Sequence, residues 1–209
     1  MPQITLYHAP RSRSFRALWF LEELGAPYTL EPIDLEHGEQ KSPAFLARHP
    51  MGKVPLVEVD GVAVWETPAI FAHLSDLHPQ AGLAPEIGTP ARAAYYRWLS
   101  FGTAVMEPAF MDKMKGHEVN PVQAAWGDFA TMKSVIAQAL RAGDWLVGDT
   151  FSGADVLVGA NLNWFAMWAA EAFADLGGLD AYLERLRARA AFERASRIDV
   201  DLATRQKAE

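Results

Sequence analysis

The sequence predicts an α/β domain over residues 1–81, a short linker over 82–90 and an all-α domain over 91–209. Three observations lead there. Strand and helix signals alternate from residue 3 to residue 80. Asp60-Gly61 sits between two short apolar runs, a strong two-residue hairpin signal. Beyond the linker, strand signals almost vanish.

Residues 3–7 form a short apolar strand. Residues 14–24 form a helix, because Ala17, Phe20, Leu21 and Leu24 recur at helical spacing and Gly25 supplies the stop. Residues 28–33 read as a second strand, and 43–48 as one or two helical turns. Leu56–Val59 and Val62–Trp65 flank the hairpin turn. Thr67 and Pro68 then open a helix whose apolar face runs Ile70, Leu74, Leu77. One parallel crossover followed by a hairpin fits a small mixed sheet with helices on both faces. The linker carries Gly82, Pro85, Gly88 and Pro90, just after Pro79. Stretches 91–115, 122–142, 154–172 and 179–196 all read as helical, and 201–209 as a polar tail that frays.

Composition narrows the function classes. Half of the 209 residues are apolar, enough for a sizeable core. A net charge of -7 argues against a nucleic-acid partner, which favours a basic stripe. No apolar run approaches the roughly 18 residues of a membrane span. The N-terminus reads as a strand rather than a signal peptide, so the cytoplasm is the expected compartment. There are no cysteines, which excludes disulfides, thiolate-ligated metals and a protein thiol nucleophile. The six histidines show no i, i+4 ligand pair, so no metal site is expected.

Three segments offer chemistry. Glu66-Thr67-Pro68 is a helix start, with Thr67 as N-cap and Pro68 at the first helical position. That is either plain capping or an anion site. The free N–H groups and the helix dipole suit a carboxylate, and Glu66 suits an ammonium group beside it. Gly52-Lys53-Val54-Pro55 enters a strand at its edge. A trans Pro55 simply opens the strand. A cis bond aims the Val54 peptide groups at an extended ligand backbone. Lys53 is a solvated loop charge or a partner for a terminal carboxylate. Pro10-Arg11-Ser12-Arg13-Ser14-Phe15-Arg16 joins the first strand to the first helix, where a thioredoxin-like fold places its reactive group. No C-x-x-C is present. Ser14 reads as the helix cap, which leaves Ser12 free to donate to an anion. Met106, Phe110, Met111 and Trp164 lie at helical spacing on two later helices, either as core or as a soft apolar pocket. Ser152 with Asp155 reads as a capping box, a structural feature.

Taken together, these segments resemble bacterial glutathione transferases of the serine, theta-like type. The matching pieces are Leu6-Tyr7, Pro10 to Ser14, Leu18-Trp19 with Leu21 to Gly25, Gly52 to Pro55, Glu66-Thr67, Phe151 to Asp155, Tyr182 to Leu186 and Ala191 to Ala195. The resemblance implies a thioredoxin-like N-terminal domain, a helical C-terminal domain and a homodimer whose interface includes His49-Pro50-Met51. It implies that glutathione is a cosubstrate and that a small apolar electrophile is the second substrate, with Met106, Phe110, Met111 and Trp164 at the electrophile pocket. Carried over, Ser12 stabilises the glutathione thiolate, with Tyr7 as the second choice. Gln40, Lys41 and Lys53 meet the glycine end, Val54 and Pro55 present the backbone edge, and Glu66 and Thr67 hold the γ-glutamyl head. A glutathione-dependent disulfide reductase and a non-catalytic binding scaffold are the alternatives. The chain departs from the pattern at Thr67 where serine is commoner, at Ala190 where proline is common, and at 100–103, where a carboxylate is missing.

Overall fold

The structure is a computed structural model that describes residues 2–207. It divides into two compact units, one of residues 1–81 with 189–209 and the other of 82–188. The α/β unit therefore takes in the last helix, which the sequence assigns to the helical domain.

In the first unit, β1 (Ile4–His8), β2 (Thr29–Pro32), β3 (Leu56–Val59) and β4 (Val62–Trp65) form one sheet in the order β2-β1-β3-β4. β1 and β2 run parallel; β3 is antiparallel to both β1 and β4. The helices are α1 (Phe15–Leu24), the single turn α2 (Pro43–Leu46) and α3 (Thr67–Leu77), with α9 (Ala190–Gln206) at the end of the chain. β1 alternates buried and half-buried residues, as a strand with one packed face should. α1 buries Arg16 through Leu21, and Gly25 closes it in the left-handed region.

The C-terminal helix is fixed to α1 in three ways. Arg189 holds Glu23 through two bonds, at 2.6 and 2.8 Å. Arg194 Nε donates to Glu22 at 2.7 Å. The ring of Phe192 meets Phe15 and Trp19 edge-on. The expected fraying of 201–209 is overturned as far as the described residues go. Leu202 and Ala203 are buried and the helix runs to Gln206; Ala208 and Glu209 lie outside the described residues. An amphipathic stripe was present there but was masked by the surrounding charges.

The second unit contains α4 (Pro90–Phe101), α5 (Glu107–Lys115), α6 (Phe129–Ala142), α7 (Gly153–Phe173) and α8 (Leu179–Arg187). The long helix expected over 91–115 is interrupted by a π-helical turn at Gly102–Met106. Asn161 Nδ2 donates to the Gly102 carbonyl there at 2.6 Å, taking an acceptor that the widened turn turns outward. The helix expected from 122 begins only at Phe129, because Asp128 caps it by accepting from Thr131 N–H at 2.7 Å. The continuous helix expected over 179–196 breaks at Arg189, whose backbone is extended. Ser152 and Asp155 form the expected capping box of α7. Asp155 accepts from four donors: Leu146 N–H, the N–H and hydroxyl of Ser152, and the Tyr182 hydroxyl.

Candidate functional site

Register places the candidate residues at one end of the sheet. Tyr7, near the end of β1, pairs with Leu56 at the start of β3, and Leu56 pairs with Trp65 at the end of β4. The chain leaves β1 into the Ser12 loop, reaches β3 through Val54-Pro55 and leaves β4 into Glu66-Thr67. Three segments separated in sequence therefore converge.

The Val54-Pro55 bond is cis. Among the described residues, neither peptide group of Val54 has a hydrogen-bond partner. The side chain of Val54 packs on a small core of Ala9, Ile33, Phe45 and Leu56, so the residue is held from beneath and its backbone is left available. Gly52, at φ +56°, is required by space as well. A Cβ there would lie 2.5 Å from the Gln40 carbonyl and 3.0 Å from Lys41 Cδ. This close approach brings the 40–41 turn alongside Gly52-Lys53. Lys41 Nζ donates to the Met51 carbonyl at 2.8 Å, which ties the two loops together. Gln40 Nε2 donates to Leu35 O at 3.4 Å, while its side-chain Oε1 is buried with no partner among the described residues. Lys53 is exposed.

At the α3 N-terminus the sequence expectation needs correction by one residue. Glu66, not Thr67, is the N-cap, and it caps with no side-chain bond. Thr67 is the first helical residue and Pro68 the second. Glu66 sits at φ +69°, a backbone region that side chains rarely adopt. Strain of this kind collects where a site needs a particular orientation. Its carbonyl still accepts from Ile70 N–H at 3.0 Å. Thr67 is buried, and its N–H belongs to the first turn, where the helix provides no acceptor.

The Ser12 loop also differs from expectation. Ser14 occupies the N-cap position of α1, but its hydroxyl caps nothing. It accepts from Ala9 N–H at 3.1 Å and lies 2.8 Å from His8 Nδ1. Ser12 is half-buried rather than free. Its Oγ lies 2.7 Å from both Ala9 O and Ser14 Oγ, two acceptors for its one proton, and accepts from Ser14 N–H at 3.1 Å. Arg11, at φ +56°, turns its N–H to Asp199 of α9 at 3.2 and 3.3 Å. Sequence reading missed His8 and Asp199, because 191 residues separate them and neither stands in a motif.

Tyr7, the second choice, is committed elsewhere. Its hydroxyl donates to Glu58 Oε2 at 2.6 Å. Burial, followed by the bond and charge of Glu58, pushes its pKa up to about 12. His49 is buried between Phe45 and Trp65, and burial pulls its pKa down; Met51 is 61 % exposed. The pocket expectation is corrected in part. Met106 and Phe110 are 0 % and 1 % exposed, and Phe110 stacks on Phe165 at 3.9 Å, so both are core. Met111 and Trp164 are half-buried, and Trp164 borders the exposed Trp168. Among the described residues, no three His, Cys, Asp or Glu gather as metal ligands, and no helix is long and apolar enough to cross a membrane.

Known proteins resemble this chain over most of its length. The family profile described as glutathione S-transferase, N-terminal domain, matches residues 2–76, and the corresponding C-terminal domain profile matches 105–190. Glutathione S-transferase GST-4.5 of Xanthomonas campestris pv. campestris is 31 % identical over 173 residues, 78 % of this chain and 82 % of that protein. Disulfide-bond oxidoreductase YfcG of Escherichia coli is 28 % identical over 204 residues, 90 % of this chain and 92 % of that protein. Among solved structures, a sphingomonad glutathione S-transferase complexed with glutathione superposes with a TM-score of 0.77 at 28 % identity, covering 93 % of this chain and 98 % of that one. With both domain profiles matched in order, and a relative above 30 % identity aligned over most of both chains, this protein belongs to the glutathione S-transferase family.

Proposed function

We propose that this chain is a serine-type, theta-like glutathione transferase, in which Ser12 stabilises the glutathione thiolate for attack on a small apolar electrophile. The observation that carries this reading is the convergence of Ser12, the unpartnered Val54 peptide and the α3 N-terminus at one sheet end. Each supports one part of the tripeptide. Val54 with Pro55 offers a backbone edge to the cysteinyl residue. Thr67 N–H and hydroxyl meet the γ-glutamyl carboxylate, and Glu66 meets its ammonium group. Gln40, Lys41 and Lys53 receive the glycine carboxylate.

The magnitudes are sufficient. A free thiol titrates near 8.5, and the thiolate is the nucleophile. Lowering that value by about two units takes roughly 2.7 kcal/mol. One hydrogen bond to a charged group contributes about 1.5–3 kcal/mol. The sulfur lone pair forms a bond to the electrophilic carbon, and the leaving group departs with the bonding electrons. Met111 and Trp164 are the accessible residues of the proposed apolar pocket, and a homodimer is the proposed assembly.

A second reading rests on the similarity to the disulfide-bond oxidoreductase. With no cysteine in the chain, both sulfurs of such a reaction would come from the substrates. Calorimetry with glutathione, followed by conjugation to a generic aromatic halide and by reduction of a mixed disulfide, separates the two. Binding with conjugation is the expected result. Binding with disulfide reduction alone supports the second reading, and absence of binding rejects both in favour of a scaffold.

A further inference from the structure

Ser12 is the outer end of a buried polar chain: Ser12 Oγ, Ser14 Oγ, His8 Nδ1, His8 Nε2 and Asp199 Oδ1, with successive contacts of 2.7, 2.8 and 3.2 Å between side chains. Asp199, Ser14 and His8 are all buried, His8 completely. Hydrogen-bond capacity restricts how protons are arranged along this chain. Ser14 Oγ has one proton and two lone pairs, and Ala9 N–H fills one lone pair. The Asp199 carboxylate beside Nε2 places the proton of a neutral His8 on that nitrogen, although the contact is not aligned as a hydrogen bond. Nδ1 is then a bare acceptor. The Ser14 proton goes to Nδ1 at 2.8 Å rather than to Ala9 O at 3.0 Å, and the Ser12 proton, which reaches Ala9 O and Ser14 Oγ at the same 2.7 Å, turns from the carbonyl to the remaining Ser14 lone pair. In the opposite arrangement Nδ1 carries a proton and donates to Ser14. Ser14 donates to Ser12, both Ser12 lone pairs are filled by the Ser14 N–H and O–H, and the Ser12 proton is free to point outward.

These two arrangements differ by one proton passed along the chain. We propose that His8 takes the glutathione thiol proton through Ser14 and Ser12, with Asp199 fixing its tautomer. The step balances. The thiol proton passes to Ser12 Oγ, the Ser12 proton to Ser14 Oγ and the Ser14 proton to His8 Nδ1. The sulfur keeps its electron pair, and an imidazolium faces the Asp199 carboxylate. Ser12 now donates to the thiolate. After conjugation the imidazolium returns its proton to solvent along the same path, so thiol and electrophile give thioether and acid. The relay residues His8, Ser14 and Asp199 act only through Ser12 and are positioning residues. The Arg11 backbone N–H also reaches the Asp199 carboxylate, at 3.2 and 3.3 Å. Glu31 of β2 stands opposite Tyr7, one residue out of step with His8 and so on the other sheet face.

This inference rests on glutathione being the ligand, and the test separates the two claims. Protein and glutathione are mixed near neutral pH in weak buffer. The ultraviolet absorbance of the thiolate and the protons released to an indicator are read together. Wild type is expected to form thiolate while releasing far less than one proton per sulfur ionised. Ser14→Ala, which cuts the chain and leaves the His8–Asp199 pair in place, is expected to release one proton per thiolate. It should also lose about tenfold in the ionisation constant of the bound thiol, one unit of thiol pKa. His8→Gln should behave the same way, with kcat/KM lower by about the same tenfold and the glutathione Kd little changed, the split expected when thiol ionisation rather than binding is lost. Ser14→Ala carries the test if His8→Gln does not fold. Stoichiometric proton release by wild type, or variants matching wild type in both signals, overturns the relay while the transferase reading stands. Wild type that binds no glutathione overturns both.

Discussion

Two serines stand at helix starts in this chain, and they do opposite things. Ser152 opens α7 inside a closed network. Its hydroxyl and N–H both go to Asp155, whose remaining capacity is taken by Leu146 N–H and the Tyr182 hydroxyl. Burial pushes the Asp155 pKa up, although four donors favour its ionised form. Ser14 opens α1 but leaves its helix uncapped and joins a chain that runs from buried Asp199 out to half-buried Ser12. The first network ends in backbone and fixes a loop. The second ends in a titratable ring on one side and in an accessible hydroxyl on the other. Under the proposed function, the structural serine and the catalytic one differ in where their hydrogen-bond chains end, which no local sequence rule reports.

That contrast can be broken at several points. The largest effect is expected at Asp155→Ala, which leaves four buried donors without an acceptor. Unfolding free energy should fall by about 3 kcal/mol or more, measured by urea denaturation of the variant and wild type. Turnover per folded molecule should hold. Ser12→Ala should invert that pattern. Losing about 1.5–3 kcal/mol of thiolate stabilisation reduces kcat/KM by roughly 10- to 150-fold, with melting temperature and glutathione Kd close to wild type. Unaltered turnover would remove Ser12 from the mechanism.

Ser152→Ala, the direct counterpart, should cost about 0.5–2 kcal/mol of stability and leave kcat alone. A lowered kcat with unchanged melting would mean that the two serines had been assigned the wrong way round. The smallest effect is expected at Tyr7→Phe, which should hold kcat within a small factor because the hydroxyl is occupied by Glu58. Its signature lies in the pH dependence of stability. The folded-state pKa of Tyr7, about 12, lies above its ordinary value of 10. The native state thus holds this proton after the unfolded chain has lost it. The associated stability is fully present below pH 10 and declines as pH rises from 10 toward 12. Denaturation of wild type over that range should show this decline, and Tyr7→Phe should lack it.

Much of the site was legible because its parts are local. Glycine, an X-Pro pair and an acidic residue before a helix each mark a loop, a strand entry or a helix start over a few residues, and Gly52, Val54-Pro55 and Glu66-Thr67 stand at those places, while the cis isomer of Val54-Pro55 and the positive φ of Glu66 came only with the structure. The helix starts were less legible. Thr67 reads as a cap by propensity, yet the left-handed turn at Glu66 shifts the cap back by one residue. Likewise, Met106 and Phe110 look the same in sequence whether they line a pocket or fill a core. Only the stack of Phe110 on Phe165 and the burial of Met106 decide it.

The sequence by itself determined the α/β and all-helical halves, the hairpin at Asp60-Gly61 and the three segments that meet at the sheet end, since turn chemistry and apolar period act over short range. Tertiary structure alone decided that α9 belongs with the sheet and that Asp199 comes to lie beside His8. Such a pairing depends on which faces of distant elements pack together. The free energy that brings them together comes from burying Phe192, Leu202 and their neighbours, residues that carry no trace of the polar contact they create.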